Sequence, residues 1–486
     1  MRLAKLTPFL FLFACGDNLE PGVNPDGSVT VDSVPGSDAD VDPDAPTDGD
    51  VDPTGAVTRV WALGDFLSND PRQAASFLDS DAMPPAFPYT MAAPPPIVLP
   101  ASGELSGEHF DARAGKIAFV ADLTVPNRFD LYVANADGSS PTLRVQGGGL
   151  NEEITAPLIS PDGTKIAYLK DSTLLNGAED LWVVSTLTDD PPVRVSPTRP
   201  LLALNQAQMD VFPSFTWSPS SRYIAFSADL NTAGVDQAWV VDTQAATIEA
   251  VELLAESDIT ATSGTRGVRG TLRWDNANNV YFRARVSDAS NQFTLFKAGV
   301  TGTASRSVIP LPARADSSTP DVGNFALSAD GTKILFSADA PTAGQYNLFV
   351  QEVGGSTATN LTNVTVDGNI NHNGPMELSP DGTELAVLAT FDDPVGDEPY
   401  VIELDGSGMR RLATFAAGCT MNCAYTDIAW TADGKYVYVV ADPLVNNETK
   451  LFRLDASMTD QDPTLAVDIV SGGDVFGMVL APVLAN

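Results

Sequence analysis

The chain has 486 residues, of which 43% are apolar, so it is long enough for one large folded domain or several small ones. Its net charge of −36 repels the phosphates of nucleic acids, and its two histidines are too few for a histidine-rich metal site. We therefore expect no nucleic-acid partner and no cofactor.

Residues 1–15 have the features of an export signal. Arg2 and Lys5 flank the start of an apolar run, 6–14, that is too short to span a bilayer as a helix. The segment ends in LFACG, which resembles a bacterial lipobox, and this resemblance implies cleavage before Cys15 and attachment of lipid to it. Gly16 and Asp17 follow Cys15, so Asp is not the second residue of the mature chain. By resemblance to the sorting of enterobacterial lipoproteins, this favours the outer membrane. An ordinary signal peptide is the alternative.

Residues 16–56 are predicted to be a disordered tether. The segment has eleven acidic residues, no Lys or Arg and no aromatic residue, so it buries too little apolar surface to order itself. Four aspartates alternate within it, which leaves calcium binding as an alternative: Asp38, Asp40, Asp42 and Asp44. The segment lacks the central Gly and the closing Glu of an EF-hand loop.

A turn motif recurs through the rest of the chain. The sequence ISPDGTKIAYL, residues 159–169, combines a short strand, a tight turn and a second strand that alternates in polarity. The first apolar residue after each turn marks one repeat: Ile117, Ile166, Ile224, Val280, Ile334, Leu385 and Val437. The markers are 49 to 58 residues apart. This period predicts an all-β fold over residues 57–486, a β-propeller with four-stranded blades.

The two ends of this region are predicted to share one blade. The segment around Val60 aligns on the second strand of the repeat at Ile224, but no first strand precedes it. Residues 476–482 look like a first strand without a second. Pairing the two would close the ring and remove exposed sheet edges. We expect eight blades, with seven as the alternative.

The repeat resembles a known family. The pattern Ser-Pro-Asp-Gly-x-Lys-Ile-Ala, followed by Asp-Leu-x-Val, is similar to the propeller repeat of the TolB-like family over residues 58–486. The resemblance implies the fold. It implies no single activity, because that family includes periplasmic partner-binding proteins and the propeller halves of peptidases.

Catalytic motifs are missing from the sequence. There is no Gly-x-Ser-x-Gly motif, and a Ser-His-Asp site would have to use His109 or His372. The architecture also resembles propeller lyases of the oligogalacturonate type, which implies several metal-binding histidines that this chain lacks. We expect Cys419 and Cys423 to form a local disulfide, since zinc would need a second pair of ligands.

An aspartate that recurs at one position of the repeat is the strongest candidate for a functional feature. Five positions after the marker, six of eight repeats carry an aspartate: Asp65, Asp122, Asp171, Asp229, Asp339 and Asp442. These carboxylates either end strands by accepting loop N–H groups or form an acidic rim that attracts a basic partner. Loops on the same face contribute candidate residues at the mouth of the channel: Asp210, Asp321, His372 and Tyr425.

Together these features predict a non-enzymatic lipoprotein of the cell envelope. The propeller would act as a scaffold that binds an envelope protein, a basic peptide segment or another ligand. We expect a monomer that contacts the membrane through its lipid alone. Two alternatives stay open: a carbohydrate- or peptide-cleaving enzyme with its site at the channel mouth, and a structural surface module.

Overall fold

A computed structural model provides the structure of the chain. It describes residues 58–64, 74–79, 89–90, 105–148, 153–172, 175–198, 210–262, 264, 266–288, 292–328, 330–362, 374–391, 397–414, 425–441, 449–461, 464–465, 467–468 and 475–482. Regular structure in these ranges is almost entirely β-strand, with two 3-10 helices at Glu256–Asp258 and Thr303–Ser305. None of the described helices is long and apolar enough to cross a membrane.

The first and last strands that the structure describes lie in one three-stranded sheet, the closing sheet. Its strands are β1 (Thr58–Gly64), β2 (Ala74–Asp79) and the last strand, β33 (Val475–Pro482). β1 lies in the middle and pairs antiparallel with both neighbours. A short parallel pair joins β3 (Tyr89–Thr90) to β32 (Val467–Asp468). The predicted sharing of one blade by the two ends is therefore confirmed.

Seven four-stranded antiparallel sheets lie between these ends in the described ranges. We number them in chain order. Sheet 1 contains β4 (Leu105–Arg113), β5 (Lys116–Ala121), β6 (Asp130–Asn135) and β7 (Thr142–Val145). Sheet 2 contains β8 (Ile154–Ile159), β9 (Lys165–Ser172), β10 (Leu175–Ser185) and β11 (Val193–Arg194). Sheet 3 contains β12 (Thr216–Trp217), β13 (Tyr223–Ala228), β14 (Gln237–Asp242) and β15 (Ala250–Leu254).

The remaining sheets have the same order of strands. Sheet 4 contains β16 (Gly267–Trp274), β17 (Asn279–Arg285), β18 (Thr294–Gly299) and β19 (Ser307–Val308). Sheet 5 contains β20 (Val322–Leu327), β21 (Lys333–Ala338), β22 (Asn347–Glu352) and β23 (Ala358–Asn360). Sheet 6 contains β24 (Met376–Leu378), β25 (Glu384–Ala389), β26 (Glu398–Glu403) and β27 (Met409–Arg411). Sheet 7 contains β28 (Tyr425–Trp430), β29 (Tyr436–Ala441), β30 (Lys450–Asp455) and β31 (Thr464–Leu465).

The turn that follows the first strand fixes each repeat. In sheet 2 the Asp162 carboxylate accepts the hydroxyl of Ser160 at 2.6 Å and the N–H of Thr164 at 3.0 Å. The N–H of Gly163 donates to the Ser160 carbonyl, and the φ of +68° at Gly163 is one that glycine adopts readily. Equivalent serine or threonine to aspartate bonds recur in sheets 5, 6 and 7. The turn predicted from the repeated motif is thus built by its own side chains.

Aromatic pairs on the second and third strands fill the interior of the sheets. Phe119 and Tyr132 are directly paired across β5 and β6, and their rings stack at 5.7 Å. The same ladder position is aromatic on both strands in sheets 3, 4 and 5, where the rings also stack. Such cross-strand pairs stabilise a sheet and present a flat apolar face to the next one.

The first strand of each sheet lies innermost, where consecutive sheets meet. β4 contacts β8, β16 contacts β20, and β24 contacts β28. At the closing sheet, β33 contacts both β28 and β4. The first strands therefore surround the axis of the ring, as in a propeller with a central channel. The number of eight blades stays a prediction.

Candidate functional site

Of the recurring aspartates that the structure describes, Asp122, Asp229 and Asp339 are buried and Asp171 is partly buried. Asp122 accepts the N–H of Asn127 at 2.9 Å. Asp229 accepts the N–H of Gly234 at 2.6 Å, and Asp339 accepts that of Gly344 at 3.1 Å. These are the contacts expected of side chains that end strands and order the following loop.

Two predicted mouth residues are joined to two of these aspartates. The N–H of Asp210 donates to the Asp229 carboxylate at 2.6 Å, and the N–H of Asp229 returns a 3.1 Å bond to the Asp210 carbonyl. Asp321 and Asp339 repeat the arrangement at 2.6 and 3.2 Å. In addition, the carboxylate of Asp339 pairs with the buried guanidinium of Arg314. Neutralisation by Arg314 weakens the contribution of Asp339 to any external field.

The mouth aspartates also tie neighbouring sheets together. The Asp210 carboxylate accepts the N–H of Glu179 on β10 of the preceding sheet at 3.0 Å. The Asp321 carboxylate accepts the N–H of Phe293 at 2.7 Å and the hydroxyl of Tyr346 at 2.5 Å. The loop that leads into an inner strand is therefore hydrogen-bonded to the preceding sheet. The sequence did not predict these contacts between sheets.

The structure does not gather all the predicted residues. Tyr425 is buried on β28, and its hydroxyl donates to the Thr414 carbonyl at 3.3 Å. The other predicted residues fall outside the described ranges: Cys15, Asp65, His372, Cys419, Cys423 and Asp442. The lipid anchor, the disulfide, the tether and the contributions of His372, Asp65 and Asp442 therefore stay predictions.

Four carboxylates form an acidic patch between sheets 2 and 3, made of Glu153, Asp171, Glu179 and Asp210. The N–H of Asp171 donates to the Glu153 carbonyl at 3.1 Å, and the Thr155 hydroxyl donates to Glu179 at 2.8 Å. Burial, followed by the charges of Asp210, Asp171 and Glu153, raises the pKa of Glu179 to about 7. Among the described residues, the charges that raise this pKa are those of three carboxylates on sheets 2 and 3. Glu153 and Glu179 lie outside the repeat motif, so the sequence alone did not single them out.

His109 occupies the inner strand of sheet 1. Its Nδ1 atom accepts the N–H of Ala156 at 3.2 Å, and burial lowers the pKa of the ring to about 4. A histidine of a Ser-His-Asp site instead donates from Nδ1 to a carboxylate. The neutral ring of His109 thus carries its proton on the other nitrogen and serves the contact between β4 and β8.

Charged side chains also lie on the inner strands at one shared ladder position. Asp111 pairs with Ala118, Arg273 with Tyr281, and Glu377 with Ala386, in each case opposite the residue that follows the marker of the repeat. The same position holds small or apolar side chains in other sheets, such as Leu158 and Ala326. Within the described part of the chain, no group of three or more His, Cys, Asp or Glu side chains is arranged to hold a metal ion.

No known sequence family and no curated protein matches the chain. The structure is similar to the β-propeller domain of the Trilobed protease from Pyrococcus furiosus, at 13% identity over 76% of this chain and 98% of that chain, with a TM-score of 0.45. It is also similar to TolB from Acinetobacter baumannii, at 18% identity over 61% and 62% of the two chains, with a TM-score of 0.33.

A third structural neighbour is a prolyl endopeptidase, at 11% identity and a TM-score of 0.50. The match covers 76% of this chain and 50% of that one, so the chain spans half the length of the enzyme. At such identities the likeness concerns the fold alone. The predicted β-propeller fold is confirmed, and its neighbours include both peptidases and TolB.

Proposed function

We propose that the protein is a non-enzymatic binding protein of the cell envelope whose propeller binds a basic segment of a protein partner. The observation that carries this proposal is the acidic patch. Burial and the charges of three neighbouring carboxylates raise the pKa of Glu179 to about 7. A Lys or Arg side chain placed there would relieve this repulsion and favour the ionised form of Glu179.

One further observation supports binding over catalysis. Nδ1 of His109 accepts a backbone N–H of the neighbouring sheet, so this nitrogen is not available as a general base. A carbohydrate- or peptide-cleaving enzyme remains the alternative function, and a structural surface module is the third.

The place of action follows from the sequence. Lipid on Cys15 would fix the protein to the outer membrane, and the acidic tether of residues 16–56 would hold the propeller away from the surface. We propose that the propeller acts as a monomer, because its last described strand pairs with its first and so joins its own two ends.

A pull-down from envelope extract tests the proposed function. The bait is the purified protein, compared with the double substitution Asp171→Asn and Glu179→Gln and with the control Asp189→Asn, which removes one fully exposed charge. We expect the unaltered protein and the control variant to capture a basic partner at low ionic strength and to lose much of it at physiological ionic strength. The double variant should capture little at either ionic strength. Equal capture by all three proteins would contradict the proposal. Cleavage of a peptide or polysaccharide in the extract would favour the enzymatic alternative.

A further inference from the structure

The end of sheet 4 that corresponds to the acidic patch carries arginines instead of acids. Arg285 lies five residues after the marker of its repeat, where sheets 2 and 3 have Asp171 and Asp229. Two residues further into the ladder, Arg269 on β16 is paired directly with Arg283 on β17. Like charges that lie opposite each other in a sheet repel, and a bound anion would lower this repulsion. In a chain with a net charge of −36, this strand end is therefore a local basic region.

Arg269 presents its charge to solvent. Its side chain is 53% exposed, and its Nε atom lies 3.9 Å from Oδ2 of Asp236, which is too far for a hydrogen bond. Asp236 is itself buried, and burial raises its pKa to about 7. At neutral pH the carboxyl group of Asp236 is therefore partly protonated, and it cancels only part of the positive charge beside it.

Arg266 lies against the same loop of sheet 3 as Arg269 does. Its Nε and Nη2 atoms donate to the carbonyl oxygens of Gly234 at 3.1 Å and Ala233 at 3.4 Å. The N–H of Asp236 returns a 3.0 Å bond to the Arg266 carbonyl. Carbonyl groups carry no net charge, so the two side-chain bonds orient the guanidinium without neutralising it. We call Arg266 and Arg269 the basic pair.

A series of hydrogen bonds connects the basic pair to the acidic patch. The Asp229 carboxylate accepts the N–H groups of Asp210 and Gly234, both at 2.6 Å. Asp210 belongs to the acidic patch, and Gly234 provides a carbonyl that Arg266 binds. The loop that Asp229 orders thus lies between the two groups of charges, which are neighbours on one face of the ring. Glu153 in the acidic patch and Arg269 in the basic pair are both exposed.

We infer that the partner segment is bipolar: its basic residues lie on the acidic patch, and an acidic residue of the same segment lies on the basic pair. This inference rests on the proposed function and specifies the segment that is bound. A guanidinium binds a carboxylate through two parallel hydrogen bonds, so an acidic residue suits the basic pair. A purely basic segment that extended over the basic pair would be repelled. Two charges of opposite sign would therefore fix the orientation of the segment and discriminate against other basic segments.

Fluorescence anisotropy with two sets of labelled peptides at low ionic strength tests this inference. In the first set, three lysines are joined to three glutamates by a Gly-Ser spacer of two, four or six residues, in both orders along the peptide. In the second set, glutamine replaces each glutamate. An extended residue spans about 3.3 Å, so the spacers cover roughly 7 to 20 Å.

We expect the best glutamate peptide to bind about threefold or more tightly than its glutamine counterpart. The comparison is stringent, because the acidic protein as a whole attracts the more positive glutamine peptide. The substitution Arg269→Gln should remove the difference between the two peptides. Arg222→Gln is the matched control, because Arg222 is 48% exposed but lies at the opposite end of sheet 3, and the difference should persist in it.

Thermal unfolding of each variant establishes that it is folded before binding is compared, and Arg266→Gln replaces Arg269→Gln if the latter does not fold. Equal or weaker binding of every glutamate peptide would overturn the inference and leave the proposed function standing. Failure of both peptide sets to bind would overturn both. A difference that persists in Arg269→Gln and in Arg266→Gln would show that the basic pair does not bind the acidic residue.

Discussion

The indole Nε1 of Trp430 donates a 3.0 Å hydrogen bond to the carbonyl oxygen of Glu377 and so joins the inner strands of two adjacent sheets. Trp217 makes the same bond to Leu158, and Trp274 makes it to Thr216. Each bond reaches back to the preceding sheet. The tryptophans therefore serve the packing of sheet on sheet, as the alternation of large and small residues on the inner strands indicates.

We expect Trp430→Phe to lower the free energy of unfolding more than Trp239→Phe does. Both side chains are buried, but Nε1 of Trp239 has no hydrogen-bond partner, so its loss removes no bond. The extra cost at Trp430 should be about 1 kcal/mol, because the Glu377 carbonyl loses a donor. Urea unfolding of the two variants measures the difference. Equal losses would show that ring size alone matters at both positions.

We expect deletion of residues 475–486 to destabilise the ring. β33 pairs with β1 from Thr58 to Gly64, so its removal exposes one edge of β1 and uncovers the faces of its neighbours. The melting temperature should fall by roughly 5 °C or more, or folding should fail. Deletion of residues 483–486, which lie beyond the strand, is the control. An unchanged melting temperature in the longer deletion would favour a seven-bladed ring closed elsewhere.

The repeats and their closure could be predicted because both are local properties of the sequence. The Asp162 turn recurs with its own side chains as hydrogen-bond acceptors, and Val60 carries the pattern of a second strand. Neither inference requires knowledge of which sheets face one another. The pairing of β1 with β33 follows once an unpaired second strand and an unpaired first strand are recognised at opposite ends.

The charged positions on the inner strands could not be predicted in the same way. Arg273 interrupts an otherwise apolar pattern, and this was the one signal in the sequence. The pairing register of β16, the strand of Arg273, is shifted between Arg269 and Arg273. The register of β28 is shifted between Tyr425 and Asp427. An irregular ladder changes the face to which each earlier residue points.

We expect Glu377→Gln to change how stability depends on pH. Burial raises the pKa of Glu377 to about 7, so the folded protein favours the protonated carboxyl. The contribution of Glu377 is fully present below its usual pKa of 4.5 and is lost as pH rises through 7. The variant should therefore match the unaltered protein near pH 4 and exceed its stability at pH 8 by about 1 to 3 kcal/mol.

Urea unfolding at pH 4, 6 and 8 would measure this pH dependence of stability. The control is Glu249→Gln, which alters an exposed carboxylate. Glu179 and Asp236 also have pKa values raised to about 7, so they too make stability depend on pH. The effect of Glu377 is therefore read from the difference in unfolding free energy between the variant and the unaltered protein at each pH. A difference that does not vary with pH would show that Glu377 is not protonated in the folded state.

We expect Asp229→Asn to destabilise the protein by about 1 to 3 kcal/mol, because the carboxylate accepts two backbone N–H groups at 2.6 Å. If Asp229 instead belongs to an acidic rim, folding is retained while association with a basic peptide slows and loses part of its salt dependence. Urea unfolding and stopped-flow mixing with a hexalysine peptide separate the two outcomes. Asp122→Asn and Asp339→Asn extend the comparison, and Asp189→Asn serves as the exposed control.

We expect Cys15→Ser to abolish lipid attachment. The altered precursor should stay uncleaved or appear as a soluble protein, whereas the unaltered protein should enter the detergent phase. Mass spectrometry of the mature N-terminus provides the direct measurement. An unmodified mature end beyond residue 15 would instead indicate an ordinary signal peptide.

The central position of β1 in the closing sheet has a mechanical consequence. Arg59 pairs with Asp79 on one side and with Ala481 on the other, so the first strand of the ring is held along both edges. Inter-strand hydrogen bonds run perpendicular to the strands, so tension applied along β1 from its N-terminal end loads both ladders in shear. The bonds would then have to yield together rather than one after another. If the propeller is tethered to a membrane at this end, a pulling force acts on β1 first, and the two ladders of β1 would resist it together.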